Sequence, residues 1–131
     1  MLAATNCGSM EPEAFTYDGG RVDPGESQQL RYTVSQTYLG DPVRIPVTII
    51  NGADPGPTVF LSAAAHCDEL NGIEVVRRVA NEWELSDLAG TLVCLPILNV
   101  PAFIAQQRYF PISGRDLNRS FPGDPDSTAV K

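Results

Sequence analysis

The sequence predicts an α/β protein in which an N-terminal antiparallel hairpin joins a βαβ unit, with the unit's strands parallel in a mixed sheet. Three observations carry this. Val43, Ile45, Val47 and Ile49 alternate along "VRIPVTII" (43–50), the period of a strand with one buried face. "TVFLSAAA" (58–65) and "TLVCLPIL" (91–98) are apolar on both faces, as central strands covered on each side are. Between them, Ile73, Val76, Val79, Ala80 and Trp83 recur at three- and four-residue steps, which gives a helix over about 71–85 one apolar face.

Taken in order, residues 1–29 are rich in Gly, Pro, Ser and acidic groups ("YDGGRVDPGESQQ") and read as a loop-rich lead-in. Residues 30–131 then form one domain, because 131 residues are too few for two ordinary cores. "RYTVSQTYL" (31–39) reads as a strand, and the "GDP" that follows is turn chemistry, so it pairs with 43–50 as a hairpin. "NGADPGP" (51–57) is a second dense turn. The strand–helix–strand spacing beyond it requires a crossover, which makes 58–65 and 91–98 parallel neighbours or near-neighbours. The final "DPDSTAVK" reads as a cap leading into another helix.

Charge and cysteine content exclude several classes. The net charge is −7 and no Lys/Arg block is present, so a nucleic-acid partner is not expected. No apolar run approaches the roughly 20 residues of a membrane span, and the first residues lack the pattern of a secretory signal. Cys7, Cys67 and Cys94 form no CxxC pair and no disulfide framework, which leaves a reducing, cytoplasmic setting as the default. P-loop, GxGxxG and GxSxG motifs are all missing from the sequence.

In open α/β sheets ligands gather beyond the carboxyl ends of the strands. Two segments leave that edge together: "HCDELNG" (66–72) after the first buried strand, and 99–123 after the second. The chain's one histidine, His66, stands three residues before Glu69, and both are zinc-ligand types. The bland alternative is a strand-end histidine with a chance carboxylate. Arg108, Arg115, Asn118 and Arg119 cluster in the second segment. They are either solvated loop residues or an anion pocket whose guanidinium forks bind a carboxylate. Asp68 and Asp116 could orient a ligand or a guanidinium from behind, or simply face solvent. Cys67 adjoins His66, but adjacent residues leaving a strand point to opposite sides, which argues against a Cys–His nucleophile pair.

Taken together, "HCDELNG", "LPILNVPAF" and "RYFPISGRDLNRSFPG" resemble the succinylglutamate desuccinylase/aspartoacylase family of the zinc-carboxypeptidase-like superfamily, over roughly residues 58 to 123. The fold this implies is the N-terminal part of a zinc-carboxypeptidase-like domain. The resemblance implies that His66 and Glu69 are two of three zinc ligands and that Arg108 polarises the scissile carbonyl. It further implies that Asn118 and Arg119 grip a substrate carboxylate and that Asp116 orients the active-site arginine. Arg115 belongs to a longer "GRDLNR" form and has no assigned role.

The implied activity is zinc-dependent hydrolysis of N-acyl amino acids or similar small amides bearing a carboxylate. Two alternatives stay open: a zinc carboxypeptidase, and a metal-free anion-binding module that kept the fold. The sequence departs from the family pattern twice. Cys67 replaces the glycine of the H-G-D-E turn, which matters only if that position needs a positive φ. No second histidine precedes Lys131, so the third ligand and the general-base glutamate are expected beyond it. The chain is then the N-terminal portion of a longer enzyme, inactive by itself, with an open sheet edge that leaves room for a homo-oligomer.

Overall fold

The computed structural model describes residues 11–37, 39–82, 87–111 and 113–123. The expected helix at "DPDSTAVK", the tail of the 71–85 helix with Trp83, and Cys7 lie outside the described residues.

The hairpin forms as the alternation requires. Strands β3 (Glu26–Gln36) and β4 (Pro42–Asn51) pair antiparallel, with an irregularity between Thr33 and Ser35. Ile45, Val47 and Ile49 are buried on one face of β4 and join Val22 and Val93 in the main apolar cluster. Pro46 is tolerated because β4 pairs there with β3 alone; its ladder with the next strand begins only at Thr48.

Within its described part, residues 11–29, the lead-in is more ordered than its composition suggests. It contains a small hairpin, β1 (Phe15–Tyr17) and β2 (Gly20–Val22), turned at Asp18–Gly19 with Gly19 at a φ of 103°, and β3 starts within it. Phe15, Tyr17 and Val22 pack on the cluster under β4, so this hairpin is the cover of one sheet face.

The βαβ unit is also present: β5 (Asp54–Ser62), helix α1 (Leu70–Glu82) and β6 (Ala89–Leu95), with β5 and β6 parallel. On α1, Val76 is buried and Ile73, Val79 and Ala80 half-buried, and the helix packs on β5 and β6. Gly90, at a φ of 88°, lies against the Pro57 carbonyl, where any Cβ would clash, so the N-terminal ends of the two strands approach closely.

Three sequence expectations are corrected. The strand order is β3-β4-β6-β5, so β5 is an edge strand among the described residues, and Val59 and Phe60 are exposed rather than covered on each side. β5 also starts at Asp54, inside the stretch read as a turn. β6 stops at Leu95 instead of 98, because Pro96 has no N–H to continue the ladder. Beyond it lies a helix the apolar periodicity did not reveal, α2 (Val100–Ala105), started by Asn99 as cap with Pro101 in its first turn.

Candidate active site

The C-terminal ends of β5 and β6 deliver their following segments to the same edge, and backbone hydrogen bonds join the two exits. Ala63 N–H donates to the Leu95 carbonyl at 3.0 Å, Leu98 N–H to Ala63 at 2.9 Å, and Asn99 N–H to Ala64 at 3.1 Å. The chain then reaches His66, which is buried at 6% exposure. Glu69 N–H closes a turn onto the His66 carbonyl, and the turn brings the Glu69 carboxylate back to the imidazole.

His66 is held from both sides. Its Nδ1 lies 2.7 Å from Glu69 Oε1 and its Nε2 2.8 Å from Asp116 Oδ1. Glu69 first and Asp116 second raise its pKa above the ordinary 6.5, since each carboxylate favours the protonated ring. Asp116 is held below the usual carboxylate range, first by His66 and also by the Asn118 N–H that it caps at 2.9 Å. That cap starts the 3₁₀ turn Leu117–Arg119.

Arg108 reaches the same turn. Its Nη1 donates to both oxygens of Asp68 at 2.9 and 2.8 Å, and its Nη2 to Glu69 Oε1 at 3.5 Å. Asp68 is lowered and Arg108 raised chiefly by this shared bond. The pair is solvent-exposed, so it fixes the direction of the guanidinium more than it stabilises the fold. Tyr109 stands beside both groups. Its ring meets His66 edge-on at 6.1 Å and 89°, and the Arg108 guanidinium carbon lies 5.9 Å from its centroid.

Residues 40 and 50 apart in sequence thus converge: His66, Asp68 and Glu69 with Arg108 and Asp116. Asn118 and Arg119 follow on the 3₁₀ turn with exposed side chains. Arg115 is exposed and enters the loop through its backbone, its carbonyl accepting from Phe110 N–H. One contact differs from the resemblance: the Asp116 carboxylate meets His66, and Asp68 is the carboxylate that takes the arginine. Cys67 carries no penalty for replacing glycine. The positive-φ non-glycine residues among those described are Ala64 and Gln106, so Cys67 keeps an ordinary backbone.

Sequence reasoning missed Tyr109 and Asn99. Tyr109 offered only its place next to Arg108. Asn99 offered an Asn two residues before Pro101, a helix-start pattern.

Among the described residues, no set of three His, Cys, Asp or Glu side chains is arranged to hold a metal ion by itself. The donor chemistry nevertheless fits two-thirds of a zinc site. An imidazole nitrogen and a carboxylate oxygen face one another, and the far ring nitrogen rests on a second carboxylate, the usual support for a metal-ligating histidine.

Comparison with known proteins gives the chain's relatives. The family model of the succinylglutamate desuccinylase/aspartoacylase catalytic domain matches residues 55–131. The N-alpha-acetyl-L-2,4-diaminobutyric acid deacetylase of Halomonas elongata is 38% identical over 89 residues, 68% of this chain. This chain spans 26% of that protein's length. Among solved structures, the product-bound ectoine utilization protein EutE (DoeB) of Ruegeria pomeroyi matches with a TM-score of 0.66 and 34% identity, over 79% of this chain and 32% of its own. An aspartoacylase family protein of Mesorhizobium loti matches with a TM-score of 0.68 and 26% identity, over 92% of this chain and 37% of its own.

Proposed function

The chain belongs to the succinylglutamate desuccinylase/aspartoacylase family, and from that premise we propose that it is the N-terminal portion of a zinc-dependent deacylase. Its substrates would be N-acyl amino acids or similar small amides bearing a carboxylate. The Halomonas elongata relative is an N-alpha-acetyl-L-2,4-diaminobutyric acid deacetylase. The observation that carries the reading is the divided histidine: His66 with one ring nitrogen facing Glu69 and the other seated on Asp116.

In this reading His66 Nδ1 and Glu69 hold the zinc, and Asp116 keeps the imidazole oriented through Nε2. A catalytic zinc usually takes three protein ligands, so in this reading His66 and Glu69 are joined by one further ligand and by a general base. What zinc supplies when bound is Lewis acidity and an activated water at neutral pH. Arg108, aimed by its two-oxygen bond to Asp68, keeps further N–H groups free to donate to the oxyanion that forms as the amide carbonyl is attacked. Asn118 and Arg119, placed past Asp116 by the 3₁₀ turn, fix the substrate carboxylate. Arg115 adds positive charge to the same loop and draws the anionic substrate in.

The test uses the longer enzyme. It should contain about one zinc ion per chain and hydrolyse an N-acetyl amino acid, and His66→Ala should abolish both. Arg108→Ala should lower kcat by about 10²–10³-fold with zinc content unchanged. Full hydrolysis by His66→Ala would sink the proposal.

A further inference from the structure

Past Ser62 the chain leaves the sheet, and the ladder no longer supplies partners for its carbonyls. Ala64 sits in the left-handed region at a φ of 50°, a conformation that non-glycine residues adopt only when their surroundings impose it. What surrounds it is a run of three consecutive carbonyls, each taken by a donor from the other exit. The Ala63 carbonyl accepts from Leu98 N–H, the Ala64 carbonyl from Asn99 N–H, and the Ala65 carbonyl from Asn99 Nδ2 at 3.2 Å. The third rung is a side chain standing in for a strand's N–H.

The same side chain also starts α2. Asn99 Oδ1 accepts from Ala102 N–H at 3.3 Å, and its backbone carbonyl accepts from Phe103 N–H at 2.9 Å. Asn99 is buried at 2% exposure, so neither bond has water as a ready substitute. Its amide therefore joins the start of α2 to the carbonyl directly before His66.

We propose that Asn99 is a positioning residue for His66: its side chain locks the strand exit and so fixes where the imidazole stands between Glu69 and Asp116. Loss of the Nδ2 donor frees the Ala65 carbonyl and lets the 63–66 backbone relax from its left-handed turn. The ring then loses its fixed distances to both carboxylates, even where the fold survives. The importance of Asn99 for catalysis rests on the reading of His66 as a zinc ligand, but the positioning itself does not.

Because the chain has a single histidine, its ring signals can be read without ambiguity by NMR, with no metal added. Asn99→Asp keeps an oxygen for the Ala102 N–H but removes the amide donor to Ala65, and Asn99→Ala removes both groups. Val76→Ala, which truncates a buried side chain of α1 and leaves every Asn99 hydrogen bond in place, serves as the control for general destabilisation. The expected result is that both Asn99 variants shift and broaden the His66 ring resonances in folded protein, while Val76→Ala leaves them in place. In the unmodified chain, the Leu98 and Asn99 amide hydrogens should exchange as slowly as those of β6.

Unchanged His66 resonances in either folded Asn99 variant, an equal change in Val76→Ala, or fast exchange at Leu98 and Asn99 would each overturn the proposal. Failure of the zinc reading would show separately, as a longer enzyme that takes up no zinc while His66 still responds to Asn99.

Discussion

β4 and β5 flank the same strand, β6, and both are apolar runs, yet one is core and the other surface. Ile49, Val93 and Phe60 stand in one row across β4, β6 and β5, on the same face of the sheet. Their exposures are 2%, 4% and 66%. Cover decides the difference. The β1–β2 hairpin and Val100 of α2 close over β4 and β6, whereas β5 is open along its outer edge among the described residues. An apolar strand sequence thus records a capacity to be buried, and the neighbouring elements decide whether that capacity is used.

The strongest challenge to this contrast is a pair of truncations within that row. Ile49→Ala should cost about 2–5 kcal/mol in urea denaturation, because it removes methyl groups from a filled site. Phe60→Ala, though it deletes a larger side chain, should cost about 0.5 kcal/mol. Equal losses would mean that β5 is covered in solution.

Next in size is Asn51, at the buried end of β4. Its Nδ2 donates to the Glu13 and Val22 carbonyls, and its Oδ1 accepts from the Thr91 hydroxyl at 2.7 Å. Asn51→Leu strands these groups without water, and a loss of about 1–3 kcal/mol is expected on the same denaturation curve. A neutral result would show that water reaches the β4 end as freely as it reaches β5.

A third prediction concerns the open edge. An exposed strand edge with apolar side chains is a template for pairing. The 131-residue chain should therefore self-associate as concentration rises, and Phe60→Lys should weaken that association about tenfold in sedimentation, near 1.4 kcal/mol. Association insensitive to charge on β5 would place the contact elsewhere.

The smallest effect is expected on the outer face of α1, where Arg77 and Arg78 reach Glu74 in exposed ion pairs. The Arg77 bond lowers the Glu74 pKa below its ordinary 4.5. Its contribution is therefore present above pH 4.5 and lost as pH falls through the lowered value. Glu74→Gln should leave the denaturation midpoint at pH 7 unmoved within error and flatten only a slight fall below pH 4.5.

Much of this fold was legible in the sequence. The alternation of Ile45, Val47 and Ile49 gave the buried face of β4, and the strand–helix–strand spacing gave the parallel pair β5–β6. The β1–β2 hairpin was not seen, although Asp18–Gly19 is a two-residue turn signal, because three-residue strands are too short to display a period. α2 escaped for the same reason: six residues make less than two turns.

The candidate site divides along the same line. The local spacing of His66 and Glu69 was visible because a turn of four residues is encoded by its own chain. That Asp116 seats His66, that Asp68 holds Arg108 and that Asn99 closes on Ala65 are contacts across 50, 40 and 34 residues. Periodicity in the sequence determined which strands and helix form and which faces turn from water, since solvent acts on each short segment directly. Which side chains meet at the sheet edge was decided by the tertiary structure, because only two parallel strands ending side by side bring those distant loops within hydrogen-bond reach.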